Sequence, residues 1–215
     1  MKEIDGRTIK EIQDILITWE RDNYHDFPWR RTESKFHALI AEVMLHKTRA
    51  EQVAPIYQIF IKRYPTLEHA IEEDHDRIRE LLKPLGLRWR AEKILEILEV
   101  LDKKGGTVPE SMNKLLELPG VGQYAASAFL SFHCGVRAPI ADTNAVRLWS
   151  RIFGFQANKG TYRSNQFLEL IERLTPTKRF KEFNLAILDF SRTICRTKPL
   201  CQICPLFSLC EYVKR

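Results

Sequence analysis

The sequence predicts an all-α fold. Apolar residues recur every three or four positions through most of the 215-residue chain, as they do when a helix buries one face. No stretch of useful length alternates apolar and polar residues in the manner of a half-buried strand. Gly and Pro mostly fall between the periodic segments, and there is no internal repeat or low-complexity linker.

Ile9, Ile12, Ile15, Leu16 and Trp19 predict a first helix, stopped before Pro28 in the turn HDFPWR, where Phe27 and Trp29 pack on the body. Phe36, Leu39, Ile40, Val43 and Met44 form one face of a buried helix carrying a single acid, Glu42, and ending at His46, Lys47 and Thr48. A helix over residues 51–64 tolerates Pro55 near its start, and shorter helices are expected around 67–71 and 76–82. Gly86 then breaks the chain before a long helix through Ile94, Leu98 and Leu101, closed by Gly105 and Gly106. Residues 109–116 predict a further helix, followed by Leu118-Pro119-Gly120-Val121-Gly122 and a small-residue helix through Ala125, Ala126 and Ala128 that Gly135 and Pro139 end. A strongly amphipathic helix begins near Thr143 (Val146, Leu148, Trp149, Ile152, Phe153), and two more cover about 166–174 and 183–194.

Bulk properties narrow the function. With 44% hydrophobic and 29% charged residues, the chain reads as soluble. It has no apolar run of the ~18–20 residues that span a bilayer and no apolar signal core in MKEIDGRTIKEIQ, so no membrane partner is expected and a cytoplasmic or nucleoid location is. A net charge of +6 favours a polyanionic partner. Four of five cysteines fall within sixteen residues as Cys195-x5-Cys201-x2-Cys204-x5-Cys210, a grouping that argues for a metal site over a disulfide framework. Four thiolates can hold zinc or a [4Fe–4S] cluster; the wide outer gaps favour the cluster. The fifth, Cys134, reads as a buried structural thiol.

Two features carry the chemistry. Glycines flanking a small residue at a helix start can point N–H groups at a phosphate, although the same turn also serves helix packing. Asp142, just ahead of the amphipathic helix, is either an N-cap or a carboxylate placed for chemistry, and it can be both.

Leu-Pro-Gly-Val-Gly, a small-residue helix and then Asp142, with the cysteine pattern behind them, resemble the helix-hairpin-helix DNA glycosylases, the superfamily of endonuclease III and the adenine-specific mismatch glycosylases. The resemblance covers about residues 27–212 and is nearest to the mismatch-specific thymine/uracil glycosylases. It implies a two-lobed fold: residues 1–31 plus 142–215 as a terminal domain with the cluster loop (195–210), and 32–141 as a middle domain with the hairpin at about 111–134, the pocket lying between the lobes. It implies a [4Fe–4S] cluster on Cys195, Cys201, Cys204 and Cys210, where this chain is one residue shorter in the first gap than the C-x6-C-x2-C-x5-C of endonuclease III.

The same resemblance implies Asp142 as the carboxylate under C1′ and Glu42 as an acid facing the pocket. Hemmed in by Ile40, Ala41, Val43 and Leu45, Glu42 suits proton donation to a leaving base, unless it lies on the solvated side of its helix. Gly120, Val121, Gly122 and Gln123 are expected on phosphate, and His46 and Lys47 in the gap left by an extruded nucleotide. Leu87 is expected as a wedge, with Arg88 and Arg90 on phosphates. Endonuclease III has its Schiff-base lysine where this chain has Tyr124, and a phenol forms no imine. The expectation is a monomeric, monofunctional glycosylase acting on a mismatched or damaged base in double-stranded DNA, most directly T or U opposite G. The alternatives are adenine excision opposite G or oxidised G, disfavoured because the chain ends soon after its last Cys, and an iron–sulfur DNA-binding protein without chemistry.

Overall fold

Every regular element in residues 4–214, which the computed structural model describes, is helical, and none of these residues forms a strand. None of their helices is long and apolar enough to cross a membrane. The chain divides into two units, residues 26–136 and, from both chain ends, residues 4–25 with 137–214.

The contiguous unit holds α2 (Lys35–Met44), α3 (Ala50–Arg63), α4 (Leu67–Ile71), α5 (His75–Leu82), α6 (Arg88–Lys103), α7 (Met112–Leu116) and α8 (Gln123–His133). Helix α2 is central: it packs on α3, α6 and α8, and every residue from Phe36 to Met44 is buried. Ser34 caps it, its hydroxyl accepting from the His37 amide at 3.3 Å. Helix α7 is shorter than its sequence pattern predicts, starting at Met112 instead of Pro109, because Ser111 holds extended backbone at φ -127°, ψ 145° as the residue that caps it.

The split unit holds α1 (Gly6–Asn23), α9 (Thr143–Phe153), α10 (Asn165–Leu174) and α11 (Phe180–Thr193). Asp5 caps α1 through the amides of Arg7 and Thr8. Helix α11 packs on α1 and α9. Ile12, Leu16, Leu148, Trp149, Phe167, Phe183 and Phe190 form one core, each such side chain contributing about 1.5–3 kcal/mol by leaving water. Gly154, at φ 72°, ends α9 in the left-handed turn that favours glycine. Past α11 the described residues form only short 3₁₀ turns, the last at Glu211–Lys214. Leu206 and the half-buried Cys204, with Cys195 and Cys210, anchor this segment to the core.

Candidate active site

Asp142 is the N-cap of α9. Its Oδ1 accepts from the Ala145 amide at 2.7 Å, and its Oδ2 accepts from Asn144 Nδ2 at 2.7 Å. Burial pushes this carboxyl above its ordinary value, while the bonds from Ala145 and Asn144 pull it back. The cap is therefore a carboxylate with both oxygens fixed.

The holding network continues along α9. Arg147 donates to Asn144 Oδ1 at 3.0 Å, to the Cys195 carbonyl at 2.9 Å and to the Ser191 carbonyl at 2.8 Å. One turn on, Arg151 donates to the Arg196 and Thr197 carbonyls at 2.7 and 3.0 Å, and its guanidinium lies 4.9 Å from the Tyr212 ring centroid. Asn144, Arg147 and Arg151 were not singled out from the sequence. Their spacing of three and four puts them on one helical face, but their partners lie 44 to 48 residues away for the two arginines.

Glu42 is on the inward side of α2. Its side chain is 3% exposed, and its Oε1 lies 3.9 Å from Nε2 of His133 on α8, itself 5% exposed. The solvated alternative for Glu42 is thereby removed. Tyr57 on α3 is buried beside them and feels the Glu42 charge.

In the turn before α8, Gly120 has φ +75°, and a Cβ there would sit 2.8 Å from Cβ of Lys93 on α6. Gly122 has open space around it and caps α8 without a side-chain bond. The amides of Gly122 and Gln123 thus meet no capping side chain. Val121 differs from expectation: its side chain is buried and its amide donates to the Leu118 carbonyl at 3.2 Å, so it has no N–H to offer a phosphate. Tyr124 is half-buried in the first turn of α8.

His46 and Lys47 sit in the turn after α2, and Leu87 and Arg88 at the start of α6. Lys47 and Leu87 hold left-handed backbone at φ 58° and 56°, a conformation costing a side-chain-bearing residue ~1–2 kcal/mol. Lys47, Leu87 and Arg88 are exposed. Burial and the charges of Lys47 and Arg90 hold the His46 imidazole below its ordinary value, and its ring meets Trp89 edge-on at 5.3 Å. Arg90 corrects the expectation of a phosphate contact. It is 1% exposed, because it shares the inward face of α6 with Ile94 and Leu101, and its guanidinium bonds protein oxygens.

Cys195, Cys201, Cys204 and Cys210 carry no disulfide and line one small cavity of about 20 Å³ together with Arg151, Leu200, Phe207 and Tyr212. Burial pushes the Cys204 thiol up to about 11 and raises Cys210 as well. Among the described residues no three His, Cys, Asp or Glu side chains converge as the ligands of one ion do.

The glycine turn before α8 and the half-buried carboxylate that caps α9 lie in one matched span that places the chain among DNA-repair proteins. The chain belongs to the HhH-GPD superfamily of base excision DNA repair proteins, whose model matches residues 40–173. It is 37% identical to a thymine-DNA glycosylase of Aeropyrum pernix, over 97% of both chains. A thymine/uracil-DNA glycosylase of Methanothermobacter thermautotrophicus is 35% identical, over 95% of this chain and 93% of the relative. The solved structure of a thermostable thymine-DNA glycosylase superposes with a TM-score of 0.90 at 33% identity, covering 97% of this chain and 98% of that one.

The geometry of Asp142 carries a pH prediction. If Asp142 is the carboxylate that reacts, activity should fail as pH falls through its native pKa, which lies above the ordinary carboxylate value. Asn144→Ala removes a bond that favours the charged form, so the acid limb of kcat/KM should move to higher pH. A pH–rate profile checks this; an acid limb left in place would detach Asn144 from the reacting carboxylate.

Proposed function

We propose that the chain is a monofunctional DNA glycosylase that hydrolyses the N-glycosidic bond of thymine or uracil opposite guanine. The observation that carries the reading is Asp142, whose two oxygens are fixed by Ala145 and Asn144 at the head of α9 in a chain closely similar to thymine and thymine/uracil glycosylases. The bond between base and C1′ breaks with its electrons leaving on the base, and the sugar gains oxocarbenium character that the Asp142 carboxylate stabilises. The oxygen of water then joins C1′ as its proton passes to the Asp142 carboxylate, a proton from Glu42 ends on the base, and exchange of one proton from Asp142 to Glu42 through solvent resets the site. Glu42, held in an apolar helix, is the donor to that leaving base. Tyr124 cannot form an imine with C1′, so the strand is left intact at an abasic site.

The Gly122 and Gln123 amides and Arg88 hold backbone phosphates, and Lys47 and Leu87 enter the stack as the base leaves it. Extrusion costs least at a mispair, which favours T or U opposite G over a paired base. The partner is double-stranded DNA, and the protein acts as a monomer. The four cysteines suit a [4Fe–4S] cluster by their chemistry: four thiols line one small cavity, and Arg151 donates to Cys195 Sγ at 3.5 Å. Bound there, the cluster supplies a structural cross-link for the segment that carries Arg196 and Lys198.

Duplexes holding one T:G, U:G, A:G, A:oxidised-G or oxidised-pyrimidine pair, treated with alkali after incubation, test the reading. Alkali-dependent cleavage of T:G and U:G is expected, with binding that weakens steeply as salt rises. Cleavage confined to the adenine duplexes would move the substrate to adenine. Breaks without alkali would overturn the Tyr124 argument, and no abasic sites on any duplex would leave a binding protein.

A further inference from the structure

Arg90 is a buried cation whose bonds all run to neutral oxygens of two separate turns. Its guanidinium donates to the His46 carbonyl and the Thr48 hydroxyl, each at 2.6 Å, and to the Leu85 carbonyl at 3.2 Å. Its own amide donates to the Leu87 carbonyl at 2.8 Å. No carboxylate among the described residues pairs with it, and a buried charge without a counter-ion is a costly way to fill space. Each of the turns it joins exposes one side chain from left-handed backbone, Lys47 on one and Leu87 on the other. Trp89 against His46 makes a second bridge between the same turns.

We propose that Arg90 is a positioning residue that clips the turn at His46–Thr48 to the turn at Leu85–Leu87, so that Lys47 and Leu87 enter the duplex as one rigid two-pronged wedge. This rests on the reading that both side chains enter DNA. The clip sets the spacing of the prongs before DNA arrives, so the ordering cost is met during folding and not during base extrusion. Three acceptors at fixed directions call for a planar fork, which a lysine ammonium does not provide.

The test compares single-turnover rates on a T:G duplex with rates on the same strand left single, where no stack needs opening. Arg90→Met should slow the duplex roughly tenfold or more, as misplaced groups do, and the single strand less than about twofold. Thr48→Val, which removes one acceptor and keeps Arg90, should show the same asymmetry more weakly and covers the case in which Arg90→Met folds poorly. A 2-aminopurine beside the target should brighten more slowly in both variants. Equal slowing on both substrates, or full duplex activity in Arg90→Lys, would overturn the clip. Lys47→Ala and Leu87→Ala separate the two layers of the reading: if they slow the duplex and the clip variants do not, only the clip fails. If they change nothing, the wedge reading fails and the clip with it.

Discussion

Asp142→Asn should lose at least ~10²–10³ of the rate of base excision, the range seen when one preorganised charge-stabilising group is removed, while binding to a T:G duplex stays within about threefold of wild type. The substitution separates the two duties of the residue. Asn caps helices as well as Asp does, so the bond from the Ala145 amide survives. An amide nitrogen in place of Oδ2 would face the donating Nδ2 of Asn144, which then keeps either that contact or its bond from Arg147. That rearrangement costs about 1 kcal/mol of stability, little beside the catalytic loss. Asp142→Ala should lose the cap as well, adding a further ~1 kcal/mol of destabilisation. Single-turnover excision, duplex titration and thermal unfolding together decide the matter. Excision that falls only as far as stability does would reduce Asp142 to a cap.

Cys204→Ser should remove the proposed cluster and loosen the C-terminal segment. Beyond α11 the described residues of that segment form only 3₁₀ turns, and its attachments include Leu206, Leu209, Val213, the cysteines and the bonds from Arg147 and Arg151. Losing a structural metal that links it to the core should cost several kcal/mol, and at 2–4 °C per kcal/mol in a chain of this size Tm should fall by ~10 °C. Wild-type protein prepared without oxygen should carry about four irons and four sulfides per chain. One zinc and no iron would replace the cluster with a structural ion, and metal-free protein with an unchanged Tm in Cys204→Ser would dismiss both.

The helices were legible because each buries a stripe whose period survives in the sequence; α9 and α10 are the plainest cases. Asp142 was legible as a cap, which the structure shows, and its neighbours in sequence marked it as the candidate for chemistry. The details that fix it were not. Asn144 and Arg147 are ordinary helix residues until the fold brings residues 191 and 195 against α9. Arg90 was misread because two basic residues around an aromatic look like a phosphate-binding run. The signal that could have corrected this is its register, four residues before Ile94 and eight before Leu98, on the stripe that faces inward. Val121 was misread for a related reason: spacing marks a turn but not which amide the turn consumes.

The split unit also bears on synthesis. Helix α1 leaves the ribosome early, yet its packing partner α11 begins more than 150 residues later, and contacts so distant in sequence form late. Residues 26–136 are continuous and can fold while translation proceeds, leaving α1 to wait with Ile12 and Leu16 uncovered. A nascent chain halted before residue 180 would therefore present a folded middle and an apolar first helix, a state suited to chaperone binding and without excision activity.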